Sequence, residues 1–472
     1  MKEIQRKTSM DSEPNTSLEN GLQHLQANEI GLEIAIRGNM DAGALFVMES
    51  KGTWLHAGFH LTTSIASPSL LSLPFAFAGL GWGPGMTALV VSATVTFYSY
   101  CLMSKVLERT ESQGHRHIRL GDLCNEILGG KWRTFVIGPL QFLLCMGSVI
   151  SSVLLCGQSM KIIYSMYYPH GSIALYEFII FSGVMTMILS QLPSFHSLRH
   201  LNLLSLLTCL GYSLCVVYGA IHVGYTKPLQ SEQYSLVGST PAKLFNAFNS
   251  LAIFANTYGS GIIPEIQATI APPTHGKMFK GLLLCYAVTI STFFSVGIAG
   301  YWAFGIESSG NVMSNFVTNG SSTLIPRWII ITANVLIVIQ LLAVALVYSQ
   351  PTFDFMEGKA SGIQHSRFSL RNLLPRLVLR SFMVAISTLI ATMFPFFGDI
   401  NAFIGAFCYT PLDFLVPVIF YSVSFKPSFQ SPFFWINCLI IIIFSLIGSL
   451  GSISSIRQIV LDAKTYHLFA NI

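Results

Sequence analysis

The chain has 472 residues, 52% of them hydrophobic and 10% charged, with a net charge of +5 and a mean hydropathy of +0.59. A soluble domain carries about 25% charged residues, so this composition cannot cover a water-facing surface and excludes a soluble globular protein. The positive charge does not signal nucleic-acid affinity, because its distribution follows membrane topology. The expected class is an all-α polytopic membrane protein.

Residues 1–50 hold eight acids and four bases and read as a mobile cytosolic tail, with a short amphipathic helix around Gly31–Arg37. They are polar and contain no cleavable signal peptide, and the first apolar run is long enough to span. Stretches of roughly 20 apolar residues then predict membrane helices near 54–80, 84–107, 134–164, 173–193, 198–223, 243–270, 279–305, 324–355, 371–396, 399–422 and 432–456. That is eleven, arranged as five plus five plus one: a first repeat over 51–223, a second over 243–422, and a last helix with a short exofacial C-terminus over 432–472.

Of the 26 Lys and Arg residues, 20 fall on the tail's side of this arrangement; the other 6 are Lys161, Lys227, Lys243, Arg327, Arg457 and Lys464. The positive-inside rule therefore puts the N-terminus in the cytosol and the C-terminus outside. The sequon at Asn319 falls on an outside loop and is the expected glycosylation site, whereas the sequon at Asn15 lies in the cytosolic tail. The nine cysteines avoid the outside loops, with Cys124 in a cytosolic loop and the others in apolar runs, so structural disulfides are not expected.

Two of the apolar segments are interrupted. The first carries Ser64-Ile65-Ala66-Ser67-Pro68-Ser69 and then Pro74, and the sixth carries Asn256-Thr257-Tyr258-Gly259-Ser260-Gly261 and then Pro264. Freed N–H and C=O groups are costly in hydrocarbon unless protein, water or ligand meets them. One such break reads as a kink; two at corresponding points of two halves point to the binding site of an inverted-repeat transporter. Pro68 frees the carbonyl of Ser64, and Pro74 frees that of Leu70. The resumed helix turns its amides and positive dipole end to mid-membrane, suited to a carboxylate near Ala66, Ser67, Ser69 and Leu70. In the sixth segment Gly259 and Gly261 permit the turn, Pro264 and Glu265 suit the first two positions of a new helix, and the Tyr258 phenol stands beside the gap. The candidate substrate-binding set is thus Ala66, Ser67, Ser69, Leu70, Asn256, Thr257, Tyr258, Gly259 and Gly261.

Other polar positions carry two readings each. His56 and His60 share a helical face and suit a proton relay or a metal, or simply packing. Asn246, Asn249 and Asn256 share another face and line an aqueous approach or tie helices together. Asp399 reads as an outer helix cap. Glu265 and Asp413 are intramembrane carboxylates and candidate coupling or gating groups, with a helix-start role as the alternative for Glu265. There is no metal-ligand spacing, phosphate loop or nucleophile constellation, so neither an enzyme nor a cofactor is expected, and no nucleic-acid partner.

The run Lys51-Gly-Thr-Trp-Leu-His-Ala-Gly-Phe-His-Leu-Thr-Thr63, followed by Leu71-Ser-Leu-Pro-Phe-Ala-Phe77, resembles the first segment of plant GABA transporters in the amino acid/auxin permease family. Further matches are Thr96-Phe-Tyr-Ser99, Leu192-Pro-Ser-Phe-His-Ser-Leu-Arg199, Tyr258-Gly-Ser-Gly-Ile-Ile-Pro-Glu-Ile-Gln-Ala-Thr269, Gly300-Tyr-Trp-Ala-Phe-Gly305, Pro395-Phe-Phe-Gly-Asp399 and Pro411-Leu-Asp413. The resemblance covers nearly the whole membrane region and departs at Ile65-Ala66-Ser67-Pro68-Ser69, where related members carry other small residues. It implies a fold like that of the bacterial leucine transporter, with substrate held at the breaks of segments one and six. It also implies proton-driven import of GABA or a related small amino acid at a plant plasma membrane. Proline, broad neutral amino acids or auxin are the alternatives within the family; a receptor that binds amino acid without moving it is the alternative outside it.

Overall fold

The computed structural model describes residues 52–191, 198–227, 229–236, 238–318, 322–360 and 370–465. The expected N-terminal tail with its sequon at Asn15, the sequon at Asn319, part of the Leu192–Arg199 motif and the chain end beyond residue 465 lie outside these residues. The fold is helical apart from a two-residue antiparallel pair, β1 (Val317–Thr318) and β2 (Ser322–Thr323).

The first apolar segment is α1 (Trp54–Ile65), a 3-10 turn Pro68–Ser72, and α2 (Leu73–Leu80). The α1 N-terminus is closed by His56, whose Nδ1 accepts the Thr53 N–H at 3.0 Å. There follow α3 (Trp82–Ser112), a short α4 (Leu120–Ile127), and α5 (Gly138–Tyr167), which is approached through one π turn, Arg133–Ile137. Then come α6 (Leu175–Ser190), α7 (Leu198–Thr226), the split pair α8 (Thr240–Tyr258) and α9 (Ile263–Ala268), and α10 (Lys277–Phe304). The last elements are α11 (Arg327–Ala360), α12 (Leu370–Met393), α13 (Phe397–Ile404), a π-helical stretch Gly405–Leu415, α14 (Val416–Phe425) and α15 (Pro432–Thr465).

Eight described helical stretches are long and apolar enough to cross a membrane, from Trp54–Leu80 to Pro432–Ala463. The other three of the eleven expected spans correspond to two shorter apolar helices, Leu175–Ser190 and Leu377–Met393, and to the α8–α9 pair, which the break divides. The sequence reading placed Cys124 in a loop. It lies in α4, whose Asp122 carboxylate meets Arg133 at 3.1 Å and fixes that helix beside the start of α5. All nine cysteines are free.

The π-helical stretch is the other unforeseen element. Pro411 lacks the N–H that would close a normal turn there, and the Thr410 hydroxyl reaches back five residues to the Gly405 carbonyl at 2.8 Å. The widened helix packs tightly on α8: a Cβ on Gly405 would stand 2.0 Å from the Ala252 carbonyl oxygen, so only glycine fits. We expect Gly405→Val to lower stability by about 1–3 kcal/mol through overpacking. Thermal unfolding in detergent measures this, and an unchanged midpoint would remove the tight approach.

Candidate functional site

Both interruptions can be followed group by group. Pro68 cannot donate to the Ser64 carbonyl, and that oxygen instead accepts the Tyr348 hydroxyl of α11 at 3.0 Å. The Leu70 N–H turns to Ser67 in the 3-10 turn, and the Ala66 carbonyl it would have met accepts Gln340 Nε2, also of α11, at 2.6 Å. At the second break, the Tyr258 carbonyl accepts the Tyr100 hydroxyl of α3 at 3.1 Å. The N–H groups of Ser260 and Gly261 donate to the two carboxylate oxygens of Asp413, at 3.2 and 2.8 Å. Gly261 sits at φ +64°, the left-handed conformation that lets both N–H groups point at one carboxylate. The Ser64 and Ser260 hydroxyls, 3.1 Å apart, join the two breaks directly.

Beside this junction lies a small cavity of about 30 Å³, room for about two water molecules in this conformation. Its walls come from five parts of the chain. Ser67, Pro68 and Ser69 are contributed by the first break and Asn256 by α8, just before the second. The α5 wall carries Ser148, Ser151 and Ser152, and α11 supplies Leu341, Val344 and Tyr348. The α13 and π-helical wall carries Phe397, Asn401, Ile404 and Tyr409. Among the described residues, none that lines the cavity is an Asp, Glu, Lys, Arg or His. Hydroxyls and amides are therefore the polar groups on offer, which suits a solute with no net charge.

Of the sequence-derived set, Ser67, Ser69 and Asn256 line the cavity. Ala66, Leu70 and Thr257 are buried behind it, and Thr257 donates to its own helix at Ile253 O. Tyr258 is also buried: its ring packs on Phe293 with centroids 5.0 Å apart, and its hydroxyl has no hydrogen-bond partner among the described residues. Gly259 faces Tyr409 so closely that a Cβ would lie 2.1 Å from the ring, which makes it the backing of that wall.

The carboxylates are distributed differently. Asp413 caps the second break, whereas Glu265 lies in the first turn of α9. The helix begins at Ile263, so Pro264 and Glu265 stand second and third, one position later than the spacing suggested. Glu265 Oε1 accepts the Leu120 N–H of α4 at 3.0 Å and Gln141 Nε2 of α5 at 2.7 Å, while Oε2 is buried without a partner. The same end of the bundle is tied by Arg116, which donates to the Ala268 and Ile270 carbonyls at 3.0 and 2.6 Å. A bridge between Gly52 and Ile270 adds the Ala271 N–H bonded to Gly52 O.

His60 is buried and His56 caps α1. Among the described residues no three His, Cys, Asp or Glu side chains come together as a metal site. Asp399, expected to cap this helix, stands third in α13 instead; the capping position is Phe396, and among the described residues no side chain bonds the free N–H groups there. Asn246 is exposed, Asn249 is buried, and only Asn256 of the three reaches the cavity.

Sequence reasoning missed the serines of α5, Tyr348 and Gln340 of α11, Tyr100, Asn401 and Tyr409. A signal existed for the first group: Ser148, Ser151 and Ser152 recur at helical spacing, a polar stripe on one face.

Comparison with known proteins agrees with this geometry. Residues 50–458 match the family described as Transmembrane amino acid transporter protein. The chain is 49% identical over 434 residues to GABA transporter 1 of Arabidopsis thaliana, covering 92% of this chain and 96% of that one. It is 30% identical over 423 residues to Lysine histidine transporter-like 1 of the same plant, covering 88% and 90%. In three dimensions it resembles a Na+-coupled sialic acid symporter solved in a substrate-bound outward-open state, with TM-score 0.50 and 12% identity, covering 92% and 94% of the two chains. The interrupted helices, the neutral polar cavity between them and the match over most of the chain converge: this protein belongs to the transmembrane amino acid transporter family and moves amino acids across a membrane, not as an enzyme.

Proposed function

We propose that the protein imports GABA or a closely related small zwitterionic amino acid across the plasma membrane together with protons. The observation that carries this reading is the cavity bounded by both breaks and lined by hydroxyls and amides without a charged side chain. A zwitterion brings its own balancing charges, whereas an organic anion or a cationic side chain would be buried there without a counter-charge. The 49% identity to a GABA transporter over nearly the whole chain supports the same substrate class.

In this reading eleven helices cross the bilayer as five plus five plus one, and the pairs α1–α2 and α8–α9 open corresponding positions of two inverted repeats. The repeats span 51–223 and 243–422, the tail 1–50 is cytosolic, and the C-terminus is exofacial, as the Lys and Arg distribution supports. Asn319 would then be the glycosylated residue. The hydroxyls of Ser67 and Ser69 hold the carboxylate, since the N–H groups of Ala66, Ser67 and Leu70 are already bonded within the chain, and Asn256 with the Thr257–Gly261 turn shapes the opposite side. Rocking of the broken segments and their neighbours against the remaining helices would expose the site alternately to the two sides.

Glu265 is the foremost coupling group, because one oxygen bolts α9 to α4 and α5 while the other is buried without a hydrogen-bond partner among the described residues and is the place where a proton can be taken up. Asp413, His56 and His60 are the further candidates. One proton crossing 100 mV releases about 2.3 kcal/mol. That sustains roughly 40–50-fold accumulation of a neutral solute.

Three measurements follow. Uptake of a labelled panel (GABA, proline, lysine, histidine, auxin) in a transport-deficient host should favour GABA, rise as external pH falls, and survive sodium removal; sodium dependence or preference for a charged solute overturns the reading. Glu265→Gln should lose concentrative uptake and its pH dependence while retaining exchange across the membrane. A mutant that accumulates with wild-type pH dependence would leave Glu265 as only the bolt to α4. Asp413→Asn offers a single acceptor oxygen to two N–H groups, so uptake should fall at least about tenfold with surface protein retained. Wild-type uptake would show that the second break holds its shape without the carboxylate.

A further inference from the structure

Asn401 lies in the second turn of α13 and is 2% exposed. Its Oδ1 accepts the Ser151 hydroxyl of α5 at 2.8 Å, which fixes the amide plane between the two helices. Its Nδ2 has no hydrogen-bond partner among the described residues, although the residue forms part of the cavity wall. Of the other polar side chains on the wall, Ser148 and Tyr409 bond one another at 2.9 Å, Ser152 donates to Ser148 O, and Ser67 and Ser69 pair at 2.8 Å, a bond that uses one of their two hydroxyl protons. An asparagine amide carries two N–H donors. Leaving them buried and unmet costs about 1–3 kcal/mol, and no local helix cap or turn explains their position.

We infer that Asn401 Nδ2 donates a hydrogen bond to the carboxylate of the transported amino acid and thereby selects for solutes that possess one. The inference rests on the proposed function, in that it takes this cavity as the substrate site. Chemistry assigns the end of the solute. An ammonium group has only donors, so it cannot meet Nδ2, whereas a carboxylate only accepts. Among the described residues no Lys or Arg lines the cavity, which leaves neutral donors to hold that carboxylate, so a donor satisfied only by substrate has a large share in binding. The α13 helix approaches the 3-10 turn Pro68–Ser72, so Asn401 and the hydroxyls of Ser67 and Ser69 are placed to take the two oxygens of one carboxylate.

The test pairs the residue with the solute group it is meant to read. In vesicles or a transport-deficient host, GABA KM is measured together with the inhibition constants of butylamine, which lacks the carboxylate, and butanoate, which lacks the ammonium. Asn401→Leu removes the donor at similar size, and Asn401→Asp replaces it with an acceptor of the same shape. Both should raise the GABA KM and the butanoate constant roughly 10- to 100-fold, the range for a hydrogen bond to a charged group. In Asn401→Leu the butylamine constant should move by no more than about twofold, because the amide N–H shares no interaction with an ammonium; in Asn401→Asp it should fall, because the added negative charge attracts the ammonium.

Equal shifts for all three solutes would make Asn401 a wall-packing residue and overturn the inference. A shift confined to GABA and butylamine would place the amide oxygen against the ammonium, and would equally overturn it. If Asn401→Leu fails to reach the membrane, Asn401→Asp still tests the inference, since it should weaken butanoate while strengthening butylamine. Failure of the underlying reading is visible beforehand, since the wild-type protein would then take up no GABA.

Discussion

A membrane helix that stops halfway leaves backbone groups without water to meet them, and this structure is organised around answering that demand. Each identified group has its own answer. Tyr348 and Gln340 take the carbonyls of Ser64 and Ala66, Tyr100 takes that of Tyr258, and Asp413 receives the N–H groups of Ser260 and Gly261. An unmade backbone bond at this depth costs several kcal/mol, so the donors and acceptors are structural requirements of the fold as well as neighbours of the site.

The partners are drawn from helices that never break, namely α3, α11 and the π-helical part of the α13–α14 segment. Two of these, α11 and the α13–α14 segment, with α5, supply most of the cavity wall. A residue such as Tyr348 therefore does two things: it bonds Ser64 and it faces the cavity. The cavity wall and helix-break repair are consequently coupled through shared side chains. Any motion that opens the cavity must exchange these hydrogen bonds for others, because the groups cannot be left bare. The Asp413 carboxylate has the most to exchange, since both of its oxygens are engaged.

The interruptions themselves were legible in the sequence because proline and glycine act locally. Pro68 determines which carbonyl is freed, and Gly261 admits a φ closed to other residues, whatever surrounds them. Their partners were not legible. Gln340 and Tyr348 sit in an ordinary apolar helix, and only packing reveals that they face α1. The serines of α5 formed a readable stripe, but small polar residues at helical spacing serve close helix packing equally well, so the stripe alone chose neither role. The π widening at Gly405–Leu415 hid for a related reason: one proline suggests a kink but not the eleven-residue stretch observed. Tyr258 shows the converse, a residue of suggestive chemistry next to a break whose ring turns away into Phe293.

The distances along the chain between each break and its partners carry a consequence for biosynthesis. Ser64 waits for Tyr348, 284 residues later, and Ala66 for Gln340, 274 residues later. At ribosomal speeds of about 5–20 residues per second, the first helix is in the membrane for roughly 15–55 s before the side chains that complete it have been made. During that interval its bare carbonyls must be met by water, by lipid headgroups or by the insertion machinery. The first membrane segment of this protein is thus a provisional one, incomplete until α11 has been made.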